Sequence, residues 1–589
     1  MPFADLRSFL RALEKQNELK RISVEVDPEL EITEIATRVV KEEGPALLFE
    51  KVKGSPYKLA INIFGSPRRI AIALGKTPGE LGAELAQLVQ AVQPPSFKGL
   101  WKARRTLRRA LSMRSKRVRN AGAQEIVEEP ELTQWPILKC WPGDAGRFIT
   151  FPLVITQHPL TKARNVGLYR MQLHSQNSTG LHWQIQKGGG FHYAEAEKRA
   201  QPLPVAVAIG SDPYLLMAAI APLPEGMDEI AFSGFLRGGP TLMVRGKTIA
   251  MDVPASAEFV MEGDAAPQER ILEGPFGDHF GHYSHAAPFP VFRVRKVTRR
   301  KDPIYLAAVV GKPPQEDRYL GDALQEIMSP LIRMIRPEVH DLWAYYEAGF
   351  HNLLVVAVNQ RYAKEGMKTA LGLLGEGQLS LTKCLVLVDP QVNVRDFHAV
   401  LQVIQQNFDS SEDALIIPGV PLDTLDFTSF TMNLGSKMVL DATRKGKASP
   451  SRKTLTNGVV KGDPKRKDSR IIGWHVWDDA LMVVQVNNEG RKVLEQLVRD
   501  PDLEGVKIIA VVSSDVDLED RVATLWGIFT RFDCARDVLF TETTLVGSVA
   551  RPSGRLGIDA TFKPGYPEPL DMTEEIRQKV NVRWAEYGL

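Results

Sequence analysis

The period of the apolar positions changes several times along this 589-residue chain. Residues 5–17 and 31–42 carry the amphipathic spacing of helices, and 18–26 reads as a strand. Short apolar runs at 46–50 and 59–63 have strand length, so the first part predicts a small α/β unit. From 153 to 310 the texture becomes β-rich. The runs FPLVIT, NVGLYRMQL, PVAVAIG, PTLMVRG, FPVFRVRKV and IYLAAVVG are separated by Gly and Pro turns, which predicts a mostly antiparallel sheet or barrel. Helical spacing returns near Asp322, and the strand-like HNLLVVAVN and KCLVLVD follow, predicting a second α/β unit.

The tail holds an internal repeat. Residues 381–416 match 505–540 at a constant offset of 124, pairing Asp396 with Asp520, Phe408 with Phe532 and Asp413 with Asp537. GSKMVLDAT at 435–443 has a degenerate echo in SGRLGIDAT at 553–561. The basic, Gly- and Pro-containing stretch 445–471 between the copies reads as a linker. The expected organisation is 1–125, an N-terminal α/β domain with a basic helix, and 126–320, a central β domain. A C-terminal α/β domain at 321–445, a linker at 446–472 and a degenerate copy at 473–589 complete it.

Composition narrows the class. Apolar content of 44% and charged content of 25% are those of a soluble globular protein. A net charge of +3 carries no nucleic-acid reading. Cys140, Cys384 and Cys534 lie far apart, which argues against a disulfide framework or zinc site and for a reducing cytoplasm. The start lacks a signal-peptide pattern, and no apolar run is long enough for a membrane span. The run 98–119 holds ten Lys or Arg and no acid, with Leu100, Leu107 and Leu111 at helical spacing. It reads either as a solvated or oligomer-facing helix, or as a peripheral contact with the anionic inner membrane.

Candidate chemistry centres on Glu273-Gly-Pro-Phe-Gly-Asp278. Pro275 blocks a helical turn, and Gly274 and Gly277 permit sharp dihedrals. Such a turn can fold two carboxyls towards one point, where different environments push their pKa values apart as proton transfer requires. Taken alone, the spacing is more often a polar surface turn. Asn165 and Arg170 fall at odd spacing on a predicted strand, facing opposite sides unless Gly167 marks a bulge. In HWQIQKGGG (182–190) the glycines let backbone N–H groups approach an anion, and Lys187 adds charge. Glu225 and Glu229 precede an apolar run read as a strand, as metal ligands or caps; an Asn, Gln and Glu set suits Mg²⁺ or Mn²⁺.

In this order, LKCWPGDAGRFIT, NVGLYR, HWQIQKGG, EIAFSGFLRG, VPASAEFVMEG, EGPFGDHFGHY and LDFTSF…LGSKMVLDAT resemble the UbiD family of (de)carboxylases, through about residue 445. The resemblance implies an α/β (α+β) chain whose central, mostly antiparallel split β-barrel binds flavin, with the C-terminal α/β domain followed by a duplicate. It implies prenylated FMN with Mn²⁺ (or Mg²⁺), K⁺ in some members, and a flavin prenyltransferase as supplier. The chemistry needs such a group, because losing CO₂ from an sp² carbon leaves a carbanion without delocalisation.

Matched residue by residue, Arg170, Glu273 and Asp278 fall on the family's catalytic network, with Asp278 as proton donor. Asn165 and Glu229 fall on metal ligands, and Gln186 stands where relatives usually carry a ligating His. Leu168, Tyr169, Arg170, His182, Trp183, Gln184, Lys187 and Gly188 fall on cofactor-contacting segments. Gln186 leaves three outcomes open: altered metal preference, a metal held through water, or a damaged site. The implied substrate is a small aromatic acid, first 4-hydroxy-3-polyprenylbenzoate of ubiquinone synthesis or a menaquinone precursor, then a phenolic or heteroaromatic acid. A non-catalytic flavin-binding or assembly subunit is the alternative of another class. Relatives imply a homo-oligomer, dimer to hexamer; the extra copy could cap, replace or mimic such an interface, one hypothesis being that it packs internally where a second subunit would otherwise sit.

Overall fold

The computed structural model describes residues 2–92, 109–183, 188–223, 226–444 and 460–589. Gln184, Gln186, Lys187 and Glu225 lie outside the described residues, as do half of the basic run and the segment 445–459. Two units are present: Met1–Asp278 with His282–Pro330 and Pro569–Leu589, and His279–Gly281 with Leu331–Glu568. Among the described residues, no helix is long and apolar enough to cross a membrane.

In the first unit, Leu6, Phe9, Leu10 and Leu13 bury one face of the Leu6–Lys15 helix, and the Asp5 side chain caps it by accepting from Ser8 N–H. Parallel strands Leu19–Val26 and Ala46–Val52 are joined through the Glu31–Lys41 helix, as a parallel pair requires. Lys58–Ile61 and Ile304–Leu306 complete this four-stranded sheet.

The central body is a curled half-barrel of nine strands with every pairing antiparallel. Its spine is the pair Phe259–Glu273 and Ala287–Arg299, whose register shifts after Glu262 and again between Ala265 and Arg270. Such irregularities increase local twist and let a sheet curl. The Phe259–Glu273 strand delivers Glu273, opposite Ala287, to the edge of the turn that follows.

Two sequence expectations are corrected here. Gly167 marks no bulge, since Leu153–Gln157 and Arg164–Leu168 pair in unbroken register. The strand instead stops at Leu168, and Gly167 is bare because a Cβ there would collide with the Tyr169 ring. The run after Asp228 is a helix, Glu229–Arg237, not a strand. Asp228 caps its start through Ile230 N–H and Gly238 ends it in the left-handed region, so the capping residues override the strand-like composition.

In the second unit, two five-stranded sheets share one plan. Val339–Ala344, Leu353–Val358, Cys384–Val388, Leu434–Asp441 and Ala414–Pro421 form the first in that order. Ile471–Trp477, Leu481–Val486, Ile508–Ser513, Val549–Ala560 and Val538–Val546 form the second. Both run antiparallel, parallel, parallel, antiparallel. Asp396 and Asp520 cap equivalent helices. The copies also meet reciprocally. Lys383 Nζ donates to the Phe532 carbonyl and Lys507 Nζ to the Phe408 carbonyl, each at 3.0 Å. One apolar core draws on both copies, including Val386, Leu401, Val483 and Ile528.

Candidate active site

Arg170 sits where the chain turns between the Arg164–Leu168 and Met171–Ser175 strands, and its side chain is buried. Its guanidinium fork uses three edges. Nε donates to Glu273 Oε1 at 3.0 Å, Nη1 to Asp278 Oδ2, and Nη2 to Ser284 Oγ at 2.9 Å. Beneath it lies the Phe276 ring, 4.8 Å from the guanidinium carbon. The two carboxyls five residues apart are thus brought together by one cation. A cis Gly274–Pro275 bond and a φ of +88° at Gly274, accessible to glycine, turn the chain between them. Gln172 Oε1 holds that turn by accepting from Gly274 N–H at 2.9 Å.

Glu273 is wholly buried. Burial alone would raise its pKa, but the hydrogen bond from His182 and the Arg170 charge outweigh it and hold the carboxyl below the ordinary value. His182 is pushed the other way, by burial first and the Arg170 charge second, against the pull of Glu273. A neutral His182 then donates from Nδ1 to Glu273 Oε1, 2.9 Å away. Among the described residues its Nε2 has no hydrogen-bond partner, nor have the buried Glu273 Oε2, His174 Nε2 and Trp183 Nε1. Gly180 keeps the space open: a Cβ there would press on Glu273 Oε2 and His174 Nε2 at 3.2 and 3.4 Å. Unpaired buried polar atoms are costly and are usually satisfied by a ligand or an ordered water.

Next to this knot, glycines open the Gly188–Lys198 helix against the Arg164–Leu168 strand. Any side chain at Gly188 would collide with Asn165 Oδ1, and one at Gly189 with Trp183 Nε1. Tyr169 Oη accepts from Gly189 N–H and from Asn165 Nδ2, both at 3.3 Å. Bare backbone at a helix N-terminus is the usual cradle for a phosphate. Glu229 meets the same strand, Oε2 accepting from Val166 N–H at 3.0 Å. Burial pushes Glu229 up to about 7, although hydrogen bonds from its own backbone and from Val166 oppose the rise. A nearby cation would return it to the ionised form. Asn165 and Glu229 are oxygen donors of the kind that could hold a hard divalent cation; Gln186 lies outside the described residues. Leu168 ends the strand and His182 and Trp183 precede the cradle, whereas Gln184 and Lys187 are also outside the described residues.

Sequence reasoning missed Asp144, Gln172, His174, Phe276 and Ser284 as parts of this site. Asp144 and Phe276 lie inside the family motifs, but the partners that tie them to the site, Gly277 and Arg170, are remote in sequence.

A curled antiparallel half-barrel is also the fold of the solved UbiD-class structures that this chain resembles. The 3-octaprenyl-4-hydroxybenzoate carboxy-lyase N-terminal domain model matches residues 10–89 and the Rift-related domain model 115–313. The C-terminal domain model of the same family matches 318–442 and 474–560. The chain belongs to the UbiD family of carboxy-lyases.

It is 37% identical to a 4-hydroxybenzoate decarboxylase subunit of Chlamydia pneumoniae, over 99% of this chain and 98% of that one. Vanillic acid decarboxylase of Sedimentibacter hydroxybenzoicus superposes with a TM-score of 0.68 at 25% identity, covering 79% of this chain and 98% of its own. HmfF of Pelotomaculum thermopropionicum, a UbiD-class enzyme in complex with FMN, gives 0.64 at 26% identity, covering 76% and 96%.

Proposed function

We propose that this chain is a prenylated-FMN-dependent decarboxylase of an aromatic carboxylic acid, with 4-hydroxy-3-polyprenylbenzoate or a related quinone precursor as the leading substrate. The observation that carries the reading is the buried Arg170 knot, which holds an ionised Glu273 and the Asp278 carboxyl at one point. When bound, the flavin would supply the electron sink that a departing CO₂ requires. Asn165 and Glu229, with Gln186, would hold a divalent cation, and the cradle at Gly188 would receive the flavin phosphate.

The chain's own residues then have separate tasks. Loss of CO₂ leaves an electron pair on the ring carbon, and one proton must be delivered there. Asp278 is suited to that delivery because its side chain keeps 12% exposure, against 0% for Glu273, so solvent can recharge it. Glu273 stays ionised, balances Arg170 and fixes the His182 ring. Arg170 orients the substrate carboxylate and holds Asp278 in place.

A flavin prenyltransferase would supply the cofactor, and the working form would be a homo-oligomer. Free phenolic acids are the second substrate class, supported by the likeness to vanillic acid decarboxylase.

Protein co-expressed with a flavin prenyltransferase and purified without oxygen tests the reading. Expected are the mass of prenylated FMN in the released cofactor, a divalent metal near one per chain, and turnover of aromatic acids. Asp278→Asn should keep the cofactor and lose turnover. If no flavin binds even with the supplier present, the decarboxylase reading falls and the non-catalytic role takes its place.

A further inference from the structure

The loop 138–146, which the proposed mechanism does not use, grips the turn that carries Asp278. Its centre is Asp144, only 5% exposed. Oδ2 accepts from Cys140 N–H at 3.0 Å and from Trp141 N–H at 2.9 Å, closing the side chain onto its own loop. Oδ1 reaches out and accepts from Gly277 N–H at 2.7 Å, one residue before Asp278.

Other bonds follow the same path. Ala145 N–H donates to the Pro275 carbonyl and Gly143 N–H to Tyr283 Oη, both at 2.9 Å. The Trp141 ring fills the space where a Gly277 side chain would stand, and its Nε1 is tied to the Val310 carbonyl at 2.9 Å. Pro275, Gly277 and Tyr283, on either side of Asp278 in the chain, are therefore held by this loop.

We propose that Asp144 is a positioning residue for proton delivery: through Gly277 it sets where the Asp278 carboxyl meets Arg170. The inference rests on the reading of Asp278 as proton donor. Asp144 itself touches neither Arg170 nor Glu273 through a hydrogen bond; it acts on the backbone. Only a carboxylate serves here. Three N–H groups converge on its two oxygens, and an asparagine would turn an NH₂ towards one or two of them. Burial pushes Asp144 up to about 6, with the hydrogen bonds from Gly277, Trp141 and Cys140 opposing it, so near neutral pH the acceptor form prevails. Displacing a donor by about 1 Å can cost on the order of 10²-fold in rate, which is the scale expected here.

The test compares wild type, Asp144→Asn, Tyr283→Phe and Asp278→Asn as flavin-loaded enzymes, and the same proteins without cofactor. Asp144→Asn should bind flavin normally and keep KM within about twofold, while kcat falls by about 10- to 100-fold. The solvent deuterium isotope effect on kcat should rise, because proton delivery becomes slower. In the cofactor-free protein, hydrogen exchange of the 274–284 segment should speed up, with exchange elsewhere unchanged. Should Asp144→Asn not fold, Tyr283→Phe cuts the adjoining clamp bond and should raise both the exchange and the isotope effect to a smaller extent.

A wild-type kcat, a fall in kcat that only tracks lost flavin, or unaltered exchange at 274–284 in the variant that folds would overturn the proposal. Asp278→Asn separates the two assignments. Full turnover in that variant defeats the proton-donor role, whereas an inactive Asp278→Asn beside an unaffected Asp144→Asn defeats only the positioning role.

Discussion

At the scale of single residues, the site is an electrostatic balance struck in a nearly dry place. Arg170 compensates Glu273, and its fork spans three partners that a point charge cannot reach together. Arg170→Lys should therefore keep the charge yet lose geometry. We expect flavin still to bind and kcat to fall at least tenfold, read from single-turnover kinetics. Arg170→Ala would leave the Glu273 carboxylate buried and uncompensated, a change that typically costs about 3–5 kcal/mol and is read as a lower Tm.

A second buried carboxyl supplies a pH signature away from the chemistry. Glu316 accepts from Asn62 N–H at 3.1 Å and Phe64 N–H at 2.8 Å, and burial pushes it up to about 7 despite those bonds and Arg69. Its folded-state pKa lies above the ordinary value, so the fold binds the proton more tightly than the unfolded chain. The stabilisation is full below about pH 4 and is lost as pH rises through about 7. Glu316→Gln should show a smaller drop in Tm between pH 5 and pH 8 than wild type. An equal drop would remove Glu316 from the account.

At the scale of elements, the turn from Glu273 to Ser284 works because other segments lean on it. Leu570, in the stretch before the C-terminal helix, and Trp141 crowd the place a Gly277 side chain would take; a Cβ would come within 2.8 Å of Leu570 and closer still to Trp141. His282 bridges to Pro569, and the Glu574–Tyr587 helix is anchored on buried Glu31 by Lys579, Arg583 and Tyr587. Gly277→Ala should therefore cost about 1–3 kcal/mol from overpacking. Thermal melts and assays together would show a lower Tm and a reduced kcat with the flavin content intact. The elements themselves are largely legible in the chain. The Leu6–Lys15 helix, the Leu19–Val26 strand and most of the β-rich runs follow from periodicity and turns. PTLMVRG and IYLAAVVG, however, leave the half-barrel: Thr241–Arg245 pairs with Ser115–Val118 and Ile304–Leu306 with Lys58–Ile61, both parallel. The Glu229–Arg237 helix reads wrongly as a strand because Ile, Phe and Phe suggest one, although Asp228 and Gly238 carry its cap signals.

For the whole molecule, the tail behaves as an internal pair. Lys383 and Lys507 make matching bonds across the two copies, and both contribute to one core. A self-complementary contact of this kind is what a two-fold dimer would make between separate chains. A chain ending near residue 445 would expose that core. Light scattering should then give a higher subunit number for the truncated chain than for the full one. Equal stoichiometry would sink the idea that the second copy occupies a subunit's place.

By itself the sequence determined what is local or repeated. The capped helices, the alternating strands, the break at Gly274 and Pro275 and the 124-residue offset all lie within short windows or in self-similarity. Only the tertiary structure decided which groups meet. Arg170 finds its two carboxyls 103 and 108 residues away, and Asp144 finds Gly277 at 133. Those encounters depend on how the half-barrel curls and where the Arg164–Leu168 strand stops. Curl and strand ends are set by packing between distant segments, and no local pattern of apolar and polar positions encodes them.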